Sequence, residues 1–312
     1  KDLETLAVRA GQVRSQLNEH SEALYLTSSF VFENAAQAAA RFSGAEEGNV
    51  YSRFTNPTVA MFQDRLAALE GGEACIATAS GMSAILAVAM ATLKTGDHVA
   101  CSAGVFGAAI QLFGTILAKF GVETTFVRGV ALNNWQQAIK PNTRLLFVET
   151  PSNPMIEIFD VAALAQIARR ATALLVVDNT ICSPALQRPL ELGADLVVHS
   201  ATKYLDGQGR VLGGAVVASR KLVADSLLPF LRAAGPTLSA FNAWVLLKGL
   251  ETLGVRMEAQ STRALELARW LESHPRVERV YYPGLESHPQ YALARRQQKQ
   301  PGAIVSFDVK GG

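Results

Sequence analysis

Cysteine is scarce: Cys75, Cys101 and Cys182 are the only three in 312 residues, far apart and in or beside apolar stretches. They form no CxxC pair and read as reduced core thiols, which excludes a disulfide framework and fits the cytoplasm. An excess of one charge is missing too. With 29 basic and 27 acidic residues mixed along the chain, the net charge is +2, so no stripe is available for a nucleic-acid backbone or an acidic membrane surface. No apolar run reaches the length of a membrane span, and no basic-then-apolar leader opens the chain. The chain starts at Lys1 and not at Met, so residues are expected to be missing at the front and a cleaved leader stays open. The five histidines, His20, His98, His199, His274 and His288, show no metal-ligand spacing, which leaves a zinc hydrolase without support. Internal repeats and low-complexity segments are absent.

What is present is apolar sequence. A hydrophobic content of 49% suffices for one large core plus a second, smaller domain. Short β-rich runs predict strands at 74–78, 97–102, 122–127, 144–149, 173–178, 195–199 and 214–218. Helical patterns at 81–93, 109–120 and 161–170 alternate with several of them, the signature of βαβ units around a mainly parallel sheet. The last two strands are too close for a helical crossover, so Lys203 to Gly213 predicts a loop and an antiparallel return. The first 50 residues contain few periodic runs and read as an arm, with a loop from Phe42 to Asn49. Residues 239–274 read as one long helical region. Strand-like stretches at 277–282 and 303–309, with a helix between them, complete half of an α+β domain. The chain then ends at Lys310-Gly311-Gly312, and a further C-terminal piece is expected.

Chemistry concentrates at predicted strand ends. Lys203, in His199-Ser200-Ala201-Thr202-Lys203-Tyr204, presents an amine at the carboxyl end of a buried strand, where ligands of open α/β sheets gather and where an amine can attack a carbonyl. Alone, it reads equally well as a lysine reaching water. Asp178 follows four apolar residues, so its carboxylate must find a cation or raise its pKa. A protonated pyridine nitrogen would serve, at on the order of 4 kcal/mol for a contact pair at intermediate dielectric; an ordinary cap or turn Asp is the alternative. Ser80-Gly81-Met82-Ser83-Ala84 opens a helix after a strand, so free N–H groups and the helix dipole converge on an anion site. Ser200 and Thr202 can add hydroxyls to it, although plain capping accounts for each of these residues as well. Tyr51 and Arg53 lie beside a turn and could clamp a phosphate. Asn153 could hydrogen-bond a phenolate oxygen, or simply form an Asn-Pro turn. Phe106 could stack on a planar ring, or be a core phenylalanine. The glycines from Gly207 to Gly214 do not have dinucleotide-fingerprint spacing.

The motifs YSRFTNPT, ATASGMSA, ETPSNP, VVDNT and HSATKYLDGQGRVLGG, in this order and over a match from near Leu3 to the chain end, resemble the cysteine and methionine metabolism enzymes that use pyridoxal 5′-phosphate (PLP). The resemblance implies an α/β architecture, PLP-dependent transferase fold type I, aspartate aminotransferase-like. It has a mostly parallel seven-stranded sheet and a smaller C-terminal α+β domain. On this reading residues 1–50 are an arm, 51–253 the large PLP-binding domain and 254–312 the start of the small one. Lys203 would bind the cofactor aldehyde covalently, Asp178 would pair with the pyridine nitrogen, and Gly81, Met82, Ser200 and Thr202 would hold the phosphate. Phe106 would stack on the ring and Asn153 would bond its hydroxyl. Tyr51 and Arg53 would reach the phosphate of a neighbouring subunit, implying a homotetramer built as a dimer of dimers. Val105-Phe106-Gly107 and Gly207-Gln208-Gly209-Arg210 point to members that exchange the acyl group of an O-acylhomoserine, succinyl in the first instance, for sulfide. Cystathionine γ-synthase and γ-lyase chemistries remain alternatives, as does a catalytically silent scaffold on this fold. The family's substrate-carboxylate arginine has no counterpart assigned within the chain.

Overall fold

A computed structural model describes residues 2–311. Seven strands form one sheet: β1 (Ala74–Thr78), β2 (His98–Ser102), β3 (Glu123–Val127), β4 (Thr143–Glu149), β5 (Leu174–Asp178), β6 (Leu196–Ser200) and β7 (Gly214–Ala218), in the order β1-β7-β6-β5-β4-β2-β3. All pairings are parallel except the two made by β7, which runs antiparallel to both β1 and β6. The expected antiparallel return after Lys203 is therefore present.

The helices are α1 (Leu3–Arg9), α2 (Ala35–Ser43), α3 (Pro57–Glu70), α4 (Gly81–Thr92), α5 (Gly107–Gln111), α6 (Leu132–Ala138) and α7 (Val161–Arg170). They continue with α8 (Ser183–Leu186), α9 (Arg220–Leu222), α10 (Leu228–Ala234), α11 (Ala240–Leu250), α12 (Leu253–Ser273) and α13 (Tyr291–Gln297). Both faces of the sheet are covered, which is why its strands read as continuous apolar runs. Alternation assigns the layers. Ile76, Phe147, Val176, Val198 and Val216 face α4 and the segment around α10. On the other face, Ala77 and Val217 meet α3 and α11, while Leu146, Val148, Leu175 and Val177 meet α7.

A smaller core gathers Ala264, Ala268 and Leu271 of α12 with Val280, Tyr282 and Leu285, beside the antiparallel pair β8 (Val277–Tyr281) and β9 (Ser306–Val309).

Three expectations need correction. The first 50 residues hold two helices, α1 and α2, and α2 carries Phe42 and Ser43 before Gly44 ends it in the left-handed conformation. The long helical region breaks at Glu251-Thr252 into α11 and α12. The segment after Phe106 starts at Gly107 and passes through a π turn (Leu112–Ile116) and a 3-10 turn (Leu117–Phe120).

The segment between α1 and α2 is tied down by charge. Glu22 is buried and accepts hydrogen bonds from Arg65 of α3, which is fully buried, and from Lys248 of α11 at 2.6 Å. Burial alone would raise the Glu22 pKa, but the bonds from Lys248 and Arg65 hold it at about 2.

Candidate active site

The carboxyl ends of β5 and β6 and the start of α4 surround a cavity of about 620 Å³. Lys203, Asp178, Phe106, Asn153, Gly81, Met82, Ser200 and Thr202, all singled out in the sequence, line it together. Tyr51 and Arg53 do not. Arg53 donates to the Arg232 carbonyl and stacks over Phe54, and Tyr51 is 41% exposed beside it. In a single chain, neither contributes to its own cavity.

The α4 end of the site is a close approach of two backbones. Ser80 caps the helix by accepting the Ser83 N–H at 3.1 Å, and the Gly81 and Met82 N–H groups before it have no acceptor within the helix. A Cβ on Gly81 would lie 2.7 Å from Ser200 Cβ, a separation that packing forbids. Glycine here lets the helix start and the end of β6 form one concave cradle, fit for a phosphate. Thr202 braces the following loop: its hydroxyl accepts the Gly213 N–H at 3.1 Å and donates to the Gly213 carbonyl at 3.3 Å. Thr180 joins the two strand ends, accepting the Ser200 N–H at 2.8 Å while its own N–H donates to Asp178 Oδ1 at 3.0 Å.

Asp178 thus makes the turn contact that a plain turn aspartate would make, yet its carboxyl is buried and has no cationic partner among the described residues. Burial raises its pKa, opposed by the bonds to Thr180 and by His199. His199 itself faces the opposite side of the sheet and shares Glu70 with Asn179, at 2.5 and 2.9 Å, while Gln187 bonds Asn179 at 3.1 Å. This buried polar network fixes the ends of β5 and β6 from behind.

The sequence reading leaves Glu149 out of the cavity wall. Glu149 ends β4 directly beside Asp178, and its Oε2 accepts the Phe106 N–H at 2.8 Å. The signal was available: Leu145-Leu146-Phe147-Val148 precedes it just as four apolar residues precede Asp178. Thr180, Gln260 and Ile304 also line the cavity without having been singled out. No cluster of metal-ligating side chains occurs among the described residues, and no helix there is long and apolar enough to cross a membrane.

Residues 4–312 match the family model described as Cys/Met metabolism PLP-dependent enzyme. The chain is 61% identical over 309 residues to O-succinylhomoserine sulfhydrylase of Pseudomonas aeruginosa, covering 99% of this chain and 76% of that one. It is 41% identical over 313 residues to L-methionine gamma-lyase of Fusobacterium nucleatum subsp. polymorphum, covering 99% and 79%. A crystal structure from Campylobacter jejuni that carries N′-pyridoxyl-lysine-5′-monophosphate superposes with a TM-score of 0.94 at 34% identity, covering 99% of this chain and 86% of that one. The cavity fits such a group on its own terms: a buried carboxyl without a cation, an amine, a helix-start cradle that any side chain at residue 81 would fill, and an aromatic ring bordering one space.

Proposed function

The chain belongs to the Cys/Met metabolism PLP-dependent enzymes, and from that membership we propose that it catalyses a γ-replacement, converting O-succinylhomoserine and hydrogen sulfide to homocysteine and succinate. The observation that carries the site assignment is the shared cavity of Lys203 and the buried, cation-free Asp178, with the start of α4 at its edge.

PLP, when bound, supplies an aldehyde for amines and a ring that accepts electron density from the substrate α-carbon. Lys203 would hold the aldehyde, and its Nζ would take the substrate α-proton. Asp178 would keep a proton on the ring nitrogen. Gly81 and Met82 would offer backbone N–H groups to the phosphate, and Ser200 and Thr202 hydroxyls. Asn153 would donate to the ring oxygen. Phe106 would lie against the ring but has no hydroxyl, so the proton transfers a phenol could perform at that position would fall to Lys203.

On the same reading, the chain divides into an arm (1–50), a large domain (51–253) and the start of a small domain (254–312). It assembles as a dimer of dimers in the cytoplasm. Tyr51 and Arg53 do not line their own cavity, and Leu17, Leu26, Val31 and Phe42 of the arm are well exposed, which suits a second copy whose site they complete.

The direct test is Lys203→Ala. Borohydride reduction followed by peptide mapping should find the pyridoxyl adduct at residue 203 of the wild type and none in the variant, with turnover lost. An adduct elsewhere in the wild type would refute the assignment. Rates with sulfide against cysteine as acceptor, succinyl against acetyl ester, and release of 2-oxobutanoate separate γ-replacement by sulfide from the synthase and lyase chemistries.

A further inference from the structure

Glu149 and Asp178 are opposite each other in the parallel β4–β5 register. Both follow residues of the α4-facing set by two positions, Phe147 and Val176, so both side chains turn to that side of the sheet, into the cavity. Adjacent strands lie only about 4.8 Å apart. Both carboxyls are buried, at 7% and 9% exposure, and neither forms an ion pair among the described residues. Two carboxylates so placed cannot both stay ionised unless each has its own cation. A pyridine ring brings one cation, and its partner is Asp178.

Glu149 has a different contact. Its Oε2 holds the backbone N–H of Phe106, the residue immediately before α5. Phe106 is 59% exposed, so packing does little to fix it, and this hydrogen bond ties its turn to the sheet. We propose that Glu149 is a positioning residue acting as a neutral acid: it anchors the Phe106 turn over the cofactor ring and leaves Asp178 as the sole anion beneath that ring. The proposal rests on the cofactor seat described above. The titratable groups around Glu149 are Asp178 on β5, Cys101 on β2 and, across the cavity, Lys203. Burial first, and then the Asp178 carboxyl, push Glu149 up to about 8, against a lowering bond from Phe106.

The test compares Glu149→Gln with Glu149→Leu in the full-length protein near neutral pH. The readouts are the Kd for PLP, from titration of the cofactor-free enzyme, and the induced circular dichroism of the bound cofactor. Glutamine is neutral and can still accept the Phe106 N–H, so its Kd should stay within about twofold with the dichroic band unchanged. Leucine removes the acceptor, so the Kd should rise about five- to a hundredfold and the band shrink. In a Phe106→Ala background, the leucine effect should largely vanish. Should the leucine variant not fold, Glu149→Asp, one methylene too short to reach, takes its place with the same expectation.

Glutamine losing as much as leucine would mean that the charge is needed, and leucine binding normally would mean that nothing is positioned. An undiminished leucine effect without the Phe106 ring would mean that Glu149 acts by another route. Each of these overturns the proposal. Failure of the cofactor assignment itself is recognised separately, by a wild-type enzyme that takes up no PLP.

Discussion

At the level of single residues, the site is a problem in placing few charges where water cannot reach them. Asp178 was legible because a carboxylate after Leu174-Leu175-Val176-Val177 has no inexpensive fate in a buried strand. Glu149 carries the same signature and was passed over, because apolar runs identify a buried carboxyl but not its neighbour across the sheet; that takes register. The two also differ in consequence for pH. The Glu149 pKa is raised from an ordinary 4.5 to about 8, so the folded state holds a proton that the unfolded chain releases. Its contribution to stability is complete below about pH 4.5 and is lost as pH rises through about 8. The cofactor-free protein should therefore melt at progressively lower temperature between these values, and Glu149→Gln should flatten that slope. A calorimetric series across this range measures both.

At the level of elements, what matters is how closely α4 approaches β6. Gly81→Ala sets a methyl group against Ser200, so either the first turn of α4 or the end of β6 must move, and the cradle opens. The expected result is a folded protein whose Kd for PLP is weaker by about tenfold, or ~1.4 kcal/mol, with little change for a cofactor analogue lacking the phosphate. Titration with both ligands checks it. The seven strands and the α4 start were readable because buried strands and capped helices leave local marks, such as Ser80 followed by Gly81. The arm helices were not: α1 has seven residues and is held by contacts with α3 and α12, which no periodicity within the arm can reveal. The break between α11 and α12 was equally hidden, since Glu251 and Thr252 are ordinary helix residues by propensity.

At the level of the whole molecule, the segment before α2 is fastened to α3 and α11 through Glu22, Arg65 and Lys248. The Glu22 pKa is depressed from 4.5 to about 2, so its contribution is present above about pH 4.5 and is lost as pH falls toward 2. Glu22→Leu would strand the buried Arg65 guanidinium and should cost about 3–5 kcal/mol, measured by urea unfolding at neutral pH. The sheet order has a consequence of another kind. Among the described residues, β1 has no strand neighbour but β7, and β7 is the last of the seven in the chain. The approach of residue 81 to residue 200 is therefore bridged by a strand that comes later in the chain than either, since β7 pairs with β1 on one side and β6 on the other. A polypeptide ending before β7 would keep both walls of that cradle yet lack the strand that bridges them, and should leave the coenzyme without a competent seat.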